Sequence, residues 1–180
     1  QVTQAIAVLG IIFPLYVKEY WPRLEDAVVD GLAGKGARLL ANADEYTDRT
    51  PKGYSNNAGE VIYAVNCLDH PVHMTNQQIE QSVPRYEKAS SVFGRVFAWS
   101  MLGCSEWPIK PDAPTPSIDA AGSAPIVVIG TTRDPATPYA WAVGLANELK
   151  SGVLITRDGD GHTGYHMGNE CVDNAVDSYL

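Results

Sequence analysis

The chain has 180 residues, 45% of them hydrophobic, with a net charge of −8 and a pI near 4.8. That length and composition suit one globular domain of ordinary size and exclude a disordered chain. The acidic balance argues against a nucleic-acid partner, and the absence of any run of about 18 apolar residues argues against a membrane span.

Residues 1 to about 107 read as wholly helical. Val2 to Tyr16 is largely apolar, but Gly10 and Pro14 interrupt it and no basic stretch precedes it, so it does not read as a signal peptide. Pro22 suits the first turn of a helix in which Leu24, Ala27, Val28 and Leu32 share one face. Ala37 to Tyr46 forms a second short helix. Thr47 to Gly59 is polar and reads as a loop, and Glu60 to Leu68 is a mixed run that favours helix. Thr75 or Asn76 caps the next helix, which Pro84 is expected to break or kink. Beyond it Tyr86, Ala89, Phe93, Val96 and Phe97 form an apolar stripe ending near Met101.

Lys110 to Ala124, rich in proline with Ser, Gly and Asp, is the best linker in the chain. It closes a helical cap region, 1–118. Residues 119–180 then switch to strand, helix, strand, helix. Ile126-Val127-Val128-Ile129 and Val153-Leu154-Ile155-Thr156 read as buried strands. Thr137 can cap and Pro138 can open the helix between them. The last helix runs from about Glu170 to Leu180 with Val172, Val176 and Leu180 on one face. The order βαβα implies a right-handed parallel unit. Two parallel strands alone leave faces and edges bare, so further strands are expected from sequence outside this chain.

Two motifs carry the chemistry. Asp134 follows the first strand and precedes Pro135, which keeps it out of helical geometry. His162 follows the second strand in the glycine-rich turn Gly159-Asp160-Gly161-His162. Asp after one strand and His after the next is the second half of the Ser, Asp, His order of α/β hydrolases. An Asp before Pro also serves as an ordinary turn residue, and a loop His often does nothing. The first half of the order, a Gly-x-Ser-x-Gly elbow, is absent: the segments around Ser55 and Ser105 both lack the second Gly.

Other clusters are weaker. His162 and His166 stand four apart near Asp158, Asp160 and Cys171, but the intervening glycines argue against a stiff helix presenting both imidazoles to zinc. Asp158-x-Asp160-Gly161 echoes a calcium loop but lacks its later ligands, with Asn169 where the Glu belongs. Cys67, Asp69, His70 and His73 suit a disulfide or plain loop better than a metal. Three cysteines without Cys-x-x-Cys spacing leave open a cytosolic chain of inert thiols or a secreted chain with a partner cysteine elsewhere.

Taken together, Ala64-Val65-Asn66-Cys67-Leu68-Asp69, Cys104-Ser105-Glu106-Trp107-Pro108, Gly130 to Pro138, Gly159 to Thr163 and Cys171-Val172 resemble the secreted actinobacterial tripeptidyl-aminopeptidase-like α/β hydrolases. The resemblance covers essentially the whole chain and corresponds to that family's C-terminal half. It implies an α/β fold with a helical lid followed by the last two core strands. It implies Asp134 as triad acid, His162 as base, and a nucleophilic Ser and oxyanion hole in an N-terminal half that this chain lacks. It implies a secreted or cell-envelope serine peptidase that releases short peptides from free amino termini and needs neither cofactor nor metal. It further implies a Cys67–Cys104 disulfide across the lid and a Cys171 left unpaired here. Such a peptidase must recognise a free α-ammonium with a lid carboxylate. Glu60 and Asp69 flank the run leading into Cys67, and Asp69 is the favoured anchor. The rival readings are an ester or lipid hydrolase with the same triad and a non-catalytic binding module.

Overall fold

The computed structural model describes residues 2–111 and 118–180. The chain divides into two compact units, Gln1–Tyr46 with Ser117–Leu180, and Thr47–Pro116. The central part of the proline-rich linker, 112–117, lies outside the described residues.

In the first unit, α1 (Gln4–Ile12) is capped by the Thr3 side chain and runs into 3-10 turns at Phe13–Tyr16 and Lys18–Tyr20. Helices α2 (Trp21–Leu32) and α3 (Ala37–Tyr46) follow. The backbones of α1 and α3 approach closely: a Cβ at Gly10 would collide with the Leu39 carbonyl oxygen. Asn42, buried beside this crossing, donates to the Gly10 carbonyl at 3.0 Å and accepts from Arg23 Nε at 2.5 Å. A buried amide is stabilising only when satisfied in this way. Of the stripe expected on α2 only Ala27 is buried, and Leu32 is 87% exposed because nothing among the described residues covers the helix end.

The second unit opens with a small antiparallel hairpin, β1 (Arg49–Thr50) and β2 (Gly53–Tyr54), so residues 1–107 are not wholly helical. The Thr50 hydroxyl donates to the Gly53 carbonyl across the Pro51-Lys52 turn, which fastens it. Helix α4 (Ala58–Asp69) leads to α5 (Asn76–Ala89), which Thr75 and Gln78 start with a reciprocal capping box. Helix α5 continues through Pro84 to Ala89, so the proline does not break it. Ile79 and Val83 are buried on its inner face. Burial at roughly 1.5–3 kcal/mol per side chain offsets the roughly 3 kcal/mol that an interior proline costs. The stripe beyond it is split between the end of α5 and the short helices α6 (Gly94–Ser100) and α7 (Leu102–Ser105). A disulfide joins Cys67 of α4 to Cys104 of α7.

Back in the first unit, β3 (Ile126–Arg133) and β4 (Gly152–Asp160) pair in parallel, from Ile126 opposite Gly152 to Arg133 opposite Asp160, with an irregularity between Thr131 and Arg133. Helix α8 (Tyr139–Glu148) connects them and α9 (Glu170–Tyr179) closes the unit. The Asn169 side chain caps α9, which buries Val172 and Val176 and leaves Leu180 exposed. Thr137 does not cap α8: Pro138 stands at that position and the Thr137 hydroxyl turns to Asp134 instead. Among the described residues no helix is long and apolar enough to cross a membrane.

Candidate active site

The irregular end of the β3–β4 pair places two loops side by side at the C-terminal end of the strands, where parallel sheets position ligands. Asp134 leaves β3 into a turn that Pro135 keeps from becoming helical. Its Oδ1 accepts from the backbone N–H groups of Ala136 at 2.8 Å and Thr137 at 2.9 Å. Its Oδ2 accepts from the Thr137 hydroxyl at 2.8 Å and from the Thr163 N–H at 3.1 Å. The local turn thereby orients the carboxylate before any partner arrives.

The partner is His162. Its Nδ1 lies 2.9 Å from Asp134 Oδ2 and 3.1 Å from Oδ1. A carboxylate only accepts, so Nδ1 carries the proton, and in the neutral ring Nε2 is left as a base. The Asp134 side chain is 3% exposed and that of His162 is 31% exposed. Burial pushes the Asp134 pKa up, but the Thr137 and Ala136 amides, the Thr137 hydroxyl and His162 together bring it below its ordinary value. Asp134 is therefore an anion held in place, with a partly accessible imidazole against it. Sheltered anion, oriented ring and open Nε2 are the parts of an acid–base pair that accepts a proton from a nucleophile.

The loop carrying His162 is braced from several sides. Arg157 donates to the carbonyls of Asp160 at 3.0 Å and Met167 at 2.9 Å, spanning the loop from beneath. The buried Thr131 hydroxyl donates to the Thr163 carbonyl at 2.6 Å. Thr163 itself sits at φ 69°. That conformation is unfavourable for a β-branched residue and here persists because both its N–H and its carbonyl are engaged. Asp160 accepts from Lys18 at 2.8 Å and from Arg133 Nε at 2.6 Å. Those two cations, Lys18 first, lower the Asp160 pKa to about 2.

Of the residues singled out in the sequence, Asp134 and His162 are brought together, and Cys67 and Cys104 are bonded. Cys171 is free and exposed. Glu60 and Asp69 lie in the other unit, in the first turn and at the last residue of α4, and both are exposed. Among the described residues no group of three or more His, Cys, Asp or Glu side chains is placed to hold a metal ion. The site roles of Thr137, Arg157 and Thr163 escaped the sequence reading, as did that of Tyr16, whose carbonyl accepts from the His162 N–H at 2.7 Å. Arg157 stands directly after the apolar run 153–156, within a strand that continues to Asp160.

The family described as TAP-like protein, within the α/β hydrolases, matches residues 90–180. The chain belongs to this TAP-like α/β-hydrolase family. Relatives of the TAP-like chain include the serine protease Hip1 of Mycobacterium tuberculosis, 38% identical over 97% of this chain and 34% of that protein. Carboxylesterase B of the same organism is 36% identical over 98% of this chain and 34% of its own length. The tripeptidyl aminopeptidase of Streptomyces lividans is 28% identical over 92% and 31%, respectively. The chain thus spans about a third of the length of the curated relatives it matches. In fold it is the C-terminal part of an α/β hydrolase, with helices and two parallel core strands.

Proposed function

We propose that these residues supply the acid–base half of a serine hydrolase, with His162 as general base and acid and Asp134 as the group that orients it. The observation that carries the reading is the contact of His162 Nδ1 with the buried, five-donor carboxylate of Asp134. In the whole protein a serine outside these residues attacks the substrate carbonyl. His162 Nε2 takes the serine proton, and Asp134 stabilises the resulting imidazolium without itself becoming protonated. His162 then returns the proton to the leaving group, and a water molecule, deprotonated the same way, releases the acyl group.

The substrate we favour is a peptide with a free amino terminus, in a protein that works outside the cell or in its envelope. The serine protease and tripeptidyl aminopeptidase among its relatives support the peptide substrate. The carboxylesterase supports an acyl ester as the second reading. For a peptide, Asp69 is the preferred anchor for the α-ammonium, with Glu60 the other candidate. Both are carboxylates on a helix tied down by the Cys67 disulfide. The full-length protein should be assayed on a tripeptide anilide, its N-acetylated form and a p-nitrophenyl ester, with Asp69→Asn alongside. The peptidase reading expects the free peptide to be turned over fastest, and Asp69→Asn to impair that substrate alone. Turnover of the ester with neither peptide cleaved would replace it by the esterase reading. Equal effects of Asp69→Asn on free and blocked peptides would remove Asp69 from the site.

A further inference from the structure

We propose that Tyr16 is a positioning residue for His162, acting through a strap formed by residues 13–18; this rests on His162 being the base of the hydrolase. Three contacts join strap to loop. The Tyr16 carbonyl accepts from the His162 N–H at 2.7 Å. The Tyr16 ring meets the imidazole edge-on, with centroids 5.1 Å apart and planes at 75°. Lys18 Nζ bonds Asp160 Oδ2 at 2.8 Å, two residues before the histidine. The strap fits only because residue 161 is glycine, since a Cβ there would lie 2.8 Å from the Tyr16 carbonyl oxygen.

Tyr16 is itself mounted firmly. Its hydroxyl shares a 3.2 Å hydrogen bond with that of Tyr46, and its ring stacks obliquely on Tyr46, which in turn meets Phe13. Burial, then the bond to Tyr46, raises the Tyr16 pKa, so the phenol stays neutral beside Asp134. Asp134 fixes one nitrogen of the imidazole, but a ring held at one nitrogen alone can still tilt. The edge-on contact with Tyr16 restrains that tilt and holds Nε2 where a serine proton must arrive. Misplacement by about 1 Å at such a site can cost on the order of a hundredfold in rate.

The test is Tyr16→Ala and Tyr16→Phe in the full-length protein. It reads kcat and KM on a p-nitrophenyl ester together with the downfield NMR resonance of the His162 Nδ1 proton. Tyr16→Ala should lower kcat by at least about tenfold, leave KM within about threefold, and broaden or erase the Nδ1 resonance, as expected for lost orientation rather than lost binding. Tyr16→Phe keeps the ring and should restore both readouts. If Tyr16→Ala does not fold, Tyr16→Leu, which keeps bulk without the aromatic edge, is read by the same criteria. Unchanged kcat and an unchanged resonance in the folded variant would overturn the proposal, as would a Tyr16→Phe as impaired as Tyr16→Ala. A wild-type protein with no esterase or peptidase activity would instead overturn the hydrolase reading, and the NMR comparison would still decide the strap.

Discussion

A methyl group at position 161 would press on the Tyr16 carbonyl, and the residue's φ of +98° is closed to most side chains. Gly161→Ala should therefore destabilise the full-length protein by about 1–3 kcal/mol in urea unfolding and displace His162 at the same time. At Asp134 the relevant change is to Asn. The amide cannot accept from all five donors and favours the wrong imidazole tautomer. Asp134→Asn should lower kcat by roughly 10⁴-fold with little effect on KM, as expected when the orienting acid of a triad is lost. Asp160 belongs to the acid limb of stability. Its pKa falls from 3.8 to about 2 on folding, so below pH 4 the unfolded chain binds more protons than the native one. The stability it contributes is complete above its unfolded value and is lost as pH falls towards 2. Unfolding of Asp160→Asn should accordingly depend less on pH between about 4 and 2 than unfolding of the parent. An unchanged slope would remove the Lys18 and Arg133 contacts from the native state in solution.

The elements differ in how far their sequences announce them. The β3–α8–β4–α9 order was legible because each strand contains a short apolar run, 126–129 and 153–156, with Asp134 and His162 beyond it; the strands themselves continue through polar residues to Arg133 and Asp160, which the apolar pattern did not reach. The start of α5 was legible in its Thr75 cap, but its passage through Pro84 was not, because the proline rule is local while burial of Ile79 and Val83 is a tertiary effect. The cap of α8 was misplaced because the Thr137 side chain is turned towards Asp134 and Pro138 takes the cap position, a placement set by a loop 25 residues away. The strap at 13–18 was invisible, since its partner is a loop near the other end of the chain. Among the helices of the second unit, the Cys67–Cys104 bridge closes a span of 37 residues around a Cys67 that is 2% exposed. Removing it as the Cys67→Ser, Cys104→Ser pair should cost about 3–4 kcal/mol in the chain-entropy picture, read by urea unfolding without reductant. Three free thiols on titration of the denatured, unreduced chain would contradict the bridge.

Across the whole molecule, the proposed acid and base, Asp134 and His162, stand together, while no Gly-x-Ser-x-Gly sequence occurs within the 180 residues. The first unit carries two core strands, and its helix α8 leaves Trp141 66% exposed. Residues 1–180 on their own should hydrolyse neither ester nor peptide at a useful rate, because nucleophile and oxyanion stabilisation are absent. They should also associate in solution, judged by light scattering, because apolar surface of this kind is ordinarily covered. A monomeric, active preparation of these residues would refute the division of labour between this part and the rest of the protein. The claim on which everything else depends is that His162 is the base. Its most direct test is kcat/KM for p-nitrophenyl ester hydrolysis by full-length His162→Ala, with circular dichroism confirming the fold. The account predicts a loss of roughly 10⁴-fold or more. A folded His162→Ala within about tenfold of the parent would contradict it.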